Sequence, residues 1–131
     1  MMVAKIDPAS NLATLARINP GAAANYAAAI LHELDEIVKR STVGDPTTSA
    51  EELYAQVHAL KNAVAPTGDH VLINACASLL GPLMQAERRT EMATQFRFVA
   101  SAAAMAVADY RRDVEAMASS AAVNLSKPSG L

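Results

Sequence analysis

The chain has 131 residues, a formal charge of -2, a pI near 5.9 and one cysteine. A chain of this length makes one domain that buries roughly two thirds of the surface its unfolded form exposes. The charge balance offers no basic field for nucleic acid or anionic lipid, which excludes both as expected partners. The lone Cys76 excludes an internal disulfide and fits a reducing, cytoplasmic compartment.

No apolar run nears the ~20 residues of a membrane span, because Asn25, His32, Glu33 and Asp35 interrupt the richest stretch. Met1 to Ile6 lacks the long apolar core of a signal peptide, so a soluble chain is expected. Aromatic residues make up only 4% of a chain that is 52% apolar, and alanine, the best helix former, dominates the difference. Val, Ile, Tyr and Phe never alternate with polar residues over a strand's length, which leaves an all-α fold.

Asp7-Pro8 reads as an N-cap with proline at the first helical position, opening a short helix to about Ile18. Asn19-Pro20 repeats the pattern and opens a helix over 20–40, with Ala23, Tyr26, Ala27, Ile30, Leu34 and Ile37 at helical spacing. Ser41 to Thr48, containing Gly44 and Asp45-Pro46, is a loop. The third helix starts at Thr48 or Ser49, since Thr48…Glu51 and Ser49…Glu52 both fit a capping box, and stops before Pro66-Thr67-Gly68.

The fourth helix runs from about Asp69 to Gln85 with Leu72, Ala75, Cys76, Leu79 and Leu83 on one face, and Gly81-Pro82 should kink it or end it early. Thr90 is placed to cap the last and longest helix. There Met92, Phe96, Val99, Ala103, Ala106, Tyr110, Val114 and Met117 form a seam. Residues 119–131 show no periodicity and read as a flexible tail. The expected architecture is an antiparallel four-helix bundle over 1–118 with a short extra N-terminal helix.

Bundles host many unrelated functions, so function must come from a site. The core stripe of the third helix is Leu53, Val57, Leu60 and Val64. His58 lies roughly 130° from the centre of that stripe and should face water or a partner. Lys61 follows at a spacing where helical side chains meet, and Ala55, Ala59 and Ala65 keep the surroundings of His58 low. Neutral imidazole is a good nucleophile near pH 7, with a reference pKa of ~6.5. It can attack an acyl phosphate, and a nearby ammonium would offset the phosphoryl charge.

His58-Ala59-Leu60-Lys61, followed by Ala63 and Gly68, resembles the signature of the histidine-containing phosphotransfer family, His-x-Leu-Lys-Gly-Ser/Ala with a second glycine before the next helix. The resemblance spans mainly residues 53–80 and continues through Leu72, Cys76 and Leu79. It implies a phosphoryl carrier without kinase activity of its own, with His58 as phospho-acceptor and Lys61 stabilising the phosphoryl charge. Tyr54, Ala55, Asn62 and Ala65 would contact the partner. Implied partners are response-regulator receiver domains or a hybrid sensor histidine kinase. This chain would carry no cofactor, the Mg2+ of the reaction would sit on the receiver, and the carrier would be monomeric.

Two positions depart from the pattern. Asn62 stands where family members commonly have glycine, roughly 40° from His58 on the helical wheel, and Leu80 stands where many have Gln or Glu able to bond the histidine. They keep open an alternative, a phosphotransfer-like module that docks a receiver or another signalling protein without carrying phosphate.

Other histidines carry less. His32-Glu33-Leu34 is similar to the start of the phospho-accepting box of histidine-kinase dimerisation helices, but Asp35 and Ile37 stand where that box has Arg and Pro. His70 is expected to be an exposed first-turn residue near the bundle's end. Neither inward Glu-x-x-His pairs for a metal nor Cys-x-x-Cys-His for haem occurs. Cys76 and the methionines Met84, Met92, Met105 and Met117 are expected to be packing residues.

Overall fold

A computed structural model describes residues 4–126, with side chains described as far as Ser120. The described residues are all-helical, without strands. Five α-helices follow one another: α1 (Asn11–Ile18), α2 (Pro20–Arg40), α3 (Ala50–Val64), α4 (His70–Leu83) and α5 (Arg89–Ser126). Two 3-10 turns, Ala65–Thr67 and Ala86–Arg88, close α3 and lead into α5. No helix among them is long and apolar enough to cross a membrane.

Side-chain caps set most of the boundaries. Ser10, not Asp7, caps α1, its hydroxyl accepting the Ala13 amide at 3.1 Å. The Asp7 carboxylate instead accepts the Ala9 amide, a short-range bond that holds Asp7-Pro8-Ala9 in a turn and delays the helix. Asn19 caps α2 with Pro20 at the first helical position, as expected. Of the two candidate capping boxes before α3, Ser49 and Glu52 form it, each side chain bonding the other's amide. Thr48 is buried, its hydroxyl bonded to the Thr42 carbonyl across the loop. Pro82 ends α4 at Leu83, since its ring and missing amide disrupt the last turn.

Thr90 does not cap α5. The 3-10 turn at Ala86–Arg88 runs directly into the helix at Arg89, so Thr90 is already its second residue. At its other end α5 passes the expected boundary at 118 and continues to Ser126. Residues 127–131 of the expected tail, like Met1 to Val3, lie outside the described residues. At 1.5 Å per residue α5 is about 57 Å long against about 31 Å for α2. Val114 is accordingly the last buried position among its described side chains.

The larger contacts among α2 to α5 run α2–α3–α4–α5–α2, with a lesser one between α3 and α5, while α1 lies on α2 and on the turn after α3. The α2–α5 contact is the most extensive, and small residues on both sides, Ala23, Ala24, Ala27, Ala100 and Ala103, bring the two helices close. Phe96, Leu12, Leu34, Leu53, Leu60, Leu72 and Leu83 fill the interior. Each fully buried side chain of this size contributes about 1.5–3 kcal/mol.

The α5 seam departs from the expected one after Ala103. Val107 is buried where Ala106 was expected, Tyr110 is half-buried, and Met117 is exposed. A straight helix drifts ~20° per heptad from a strict seven-residue repeat, so a seam read at steps of four and three rotates off the core. Met84 and Met105 are also exposed, which leaves Met92 as the one methionine of the four that packs in the core.

Arg89 is buried, and among the described residues no carboxylate forms an ion pair with it. Its Nε donates to the Leu83 carbonyl at 3.0 Å, and its Nη1 reaches the carbonyls of Asp45, Pro46 and Thr48 at 3.0, 2.8 and 2.9 Å. One guanidinium thereby ties the α2–α3 loop to the α4–α5 junction. The Asp45 carboxyl beside it is held below its ordinary range, chiefly by the amide and hydroxyl of Thr47 and to a lesser degree by Arg89. Replacing Arg89 by Met would remove four side-chain hydrogen bonds at once, the Asp45 carbonyl alone keeping the Thr48 amide as an established donor, and urea unfolding should show a loss of about 3 kcal/mol, with Arg89→Lys recovering part of it. A loss below about 1 kcal/mol would mean that the carbonyls find water instead.

Candidate functional site

The site is built on α3, which is fastened at both ends. At the start, the capping box is joined by Gln56, whose side-chain oxygen accepts the Thr42 amide at 2.8 Å and whose amide donates to the Thr42 hydroxyl at 2.7 Å. At the end, the buried Thr67 donates its hydroxyl to the Val64 carbonyl at 2.7 Å and accepts the Asp69 amide. Gly68 then turns the chain with φ +66°, the one positive φ among the described residues. A Cβ there would also meet the Cβ atoms of Asp7 and Ser10 at 2.9 Å. Gly68 is thus required twice, for its φ and for the close approach of the N-terminal segment.

That segment closes the same corner. Asp7 donates its amide to the Thr67 carbonyl at 2.8 Å, and Lys5 donates its amide to Asp69, whose other oxygen caps α4 through the Leu72 amide. The core stripe Leu53, Val57, Leu60 and Val64 is fully or almost fully buried, so the rotation of α3 about its axis is set.

With that rotation, His58 is exposed, as the helical wheel requires. Tyr54, one turn earlier and 58% exposed, lays its ring parallel to the imidazole, with centroids 5.9 Å apart and planes 7° from each other. Among the described residues, no side-chain hydrogen bond or ion pair involves His58 or Lys61. Lys61 is exposed, and its charge is felt by Cys76 of α4, which puts it on the α4 side of His58. Ala55, Asn62 and Ala65 are exposed and Ala59 is half-buried, so the flank around the imidazole carries Asn62 as its other polar side chain. Leu80 is half-buried against the core and offers no group to bond an imidazole.

The structure thus brings Tyr54 and His58 into contact and sets Lys61, Asn62, Ala55 and Ala65 around them on one exposed surface. His32 on α2 and His70 at the start of α4 are exposed. No group of three or more His, Cys, Asp or Glu residues among the described ones is arranged to hold a metal.

The sequence reading missed a groove of about 340 Å³ on the α2 side of α3, lined by Glu33, Glu36, Ile37, Arg40, Ala55, Gln56 and Ala59. Two small residues one turn apart, Ala55 and Ala59, are its sequence signal. Their pairing with Ile37 depends on the relative register of α2 and α3, which no local pattern encodes. Arg40 pairs with Glu36 at 3.2 Å, so much of the charge at the rim is internally balanced.

Comparison with family models, with curated proteins and with solved structures finds no match to this chain.

Cys76 is buried under the site, and burial pushes its thiol up to about 11 against a smaller opposing pull from the Lys61 ammonium. At pH 8 the thiolate is the reactive form, and the rise from the ordinary value of 9.0 removes about 100-fold of it. Iodoacetamide should therefore label the native chain at least ~100-fold more slowly than the urea-unfolded chain. Equal rates would show that α4 opens easily at this point.

Proposed function

We propose that this chain is a histidine phosphotransfer module, a cytoplasmic phosphorelay intermediate built as an antiparallel four-helix bundle with α1 covering one end. It accepts a phosphoryl group on His58 from the aspartate of a receiver domain and passes it to another receiver. The observation that carries this reading is an imidazole exposed in the middle of a helix anchored at both ends, with Lys61 one turn on and small side chains around it. Support also comes from Gly68, whose φ and close approach give a physical reason for the glycine of the signature.

In the proposed step, one ring nitrogen of neutral His58 attacks the phosphorus of the receiver's aspartyl phosphate. The N–P bond forms as the P–O bond to the aspartate breaks, and the carboxylate leaves with the bonding pair. The second ring nitrogen keeps its proton. Lys61 offsets the charge of the phosphoryl group in flight, where an ammonium contributes most because charge is in motion. The Mg2+ of the reaction belongs to the receiver. Tyr54, Ala55, Asn62 and Ala65 form the ground on which the receiver settles, and the groove between α2 and α3 extends it.

Asn62 and Leu80 favour a second reading, a bundle that docks a receiver without taking its phosphate. Incubation with a phosphorylated receiver separates the two. Acid-labile phosphate should appear on the wild-type chain and vanish in His58→Gln, with helical content unchanged. Label lost instead in His32→Gln or His70→Gln would displace the site, and a complex that forms without any label would establish the docking module. Lys61→Ala should slow transfer about 10-fold, the effect of one charge-assisted hydrogen bond in the transition state. An unchanged rate would reduce Lys61 to a solvated surface charge.

A further inference from the structure

His58 makes no side-chain hydrogen bond among the described residues, so its ring must be oriented by something else. The contact present is with Tyr54. Residues four apart on a helix meet side by side, and here the two rings lie within 7° of parallel at a centroid distance of 5.9 Å, the geometry of an offset stack. Both residues sit on the exposed flank of α3, where no core packing holds either ring.

A parallel stack has a specific consequence for an imidazole. With planes 7° apart and centroids 5.9 Å apart, the two rings lie offset and side by side. The nitrogen lone pairs lie in the plane of the imidazole, so the parallel neighbour restricts the plane in which they point.

We propose that Tyr54 is the positioning residue for phosphoryl transfer at His58, acting through the ring stack. The inference rests on the functional reading above and deepens it. A histidine on a free helix surface has two accessible χ1 wells, the third being excluded by the preceding turn, and a two-fold χ2, which makes about four orientations. Holding one of them raises the fraction of attack-ready rings by about four-fold. The stack does nothing to the N–P bond once it is made, because water attacks phosphorus from the side opposite the ring nitrogen.

The test compares the wild-type chain with Tyr54→Phe, which keeps the stack, and Tyr54→Ala, which removes it at an exposed position that the fold does not need. Phosphoramidate serves as a small donor beside a phosphorylated receiver, so that loss of orientation is distinguished from loss of a docking contact. Tyr54→Ala should lower the phosphorylation rate about four-fold with phosphoramidate and at least as much with the receiver, where a docking contact is lost as well, Tyr54→Phe should restore the phosphoramidate rate, and the hydrolysis rate of the phosphohistidine should stay constant. The His58 ring protons should carry an upfield ring-current shift in wild type and Tyr54→Phe that disappears in Tyr54→Ala. A wild-type chain that takes no label overturns the functional reading and this inference with it. A labelled wild type with an equal rate in Tyr54→Ala, or an effect seen only with the receiver, overturns the inference alone.

Discussion

The start of α3 is tied to the end of α4 by a single buried cation. Arg89 spans the gap between the α2–α3 loop and the end of α4, binding four carbonyls from two segments that are distant in sequence. Backbone carbonyls carry partial charge only, so the guanidinium is desolvated without the compensation of a full counter-charge. It is tolerated because the fork of its donors matches carbonyls turned inward at the Asp45–Thr48 turn and at the end of α4. Arg89 holds the Thr48 carbonyl next to the Ser49 cap, so the start of the helix that carries His58 is joined to the end of α4.

Fixing a helix at its ends leaves its middle free to be bare. Gln56, Thr67 and Gly68 do the anchoring, and all three lie away from the exposed flank that His58 occupies. Surface side chains of α3 therefore need not stabilise it, and alanine at 55 and 59 costs the helix nothing. The same logic explains α2 and α5, whose alanines allow close approach and so compensate in packing for what they lack in size. A site on an exposed helix face needs no enclosed cavity, and stability can be concentrated in the core and the loops.

Local signals in the sequence made the helices legible, and long-range ones were needed for what was missed. The caps at Asn19 and Ser49, the stop before Pro66 and the stripes of α3 and α4 are encoded within a turn or two of their positions, and all are present. Asp7-Pro8 misled because Asp7 had two acceptable local partners, its own turn and a helix N-terminus, and a contact from Thr67 decided for the turn. The role of Arg89 could not be read at all, since its acceptors are backbone groups some forty positions earlier. At the site, the exposure of His58 and of Lys61 followed from the wheel. The Tyr54 stack lay within reach of the same reasoning, as an aromatic residue four positions before a histidine, whereas the groove beside Ala55 and Ala59 required the register of two helices.

The two flanks of α3 differ in a way that bears on the direction of approach. Toward α2 the rim of the groove carries Glu33, Glu36 and Arg40, with Glu36 and Arg40 paired to each other, which leaves the Glu33 carboxylate facing an incoming anion. Toward α4 stand Lys61, without an ion-pair partner among the described residues, and the ring of Tyr54. In the proposed transfer, a doubly charged phosphoryl group would be drawn to the second flank and repelled from the first, while the apolar floor of the groove, Ile37, Ala55 and Ala59, would be left for the protein that delivers it. On the proposed reading, charge and contact are thus divided between the two sides of one helix. The phosphate is steered by Lys61 and the body of the partner rests on small residues, so affinity for the partner can be set on the α2 side without altering the chemistry on the other.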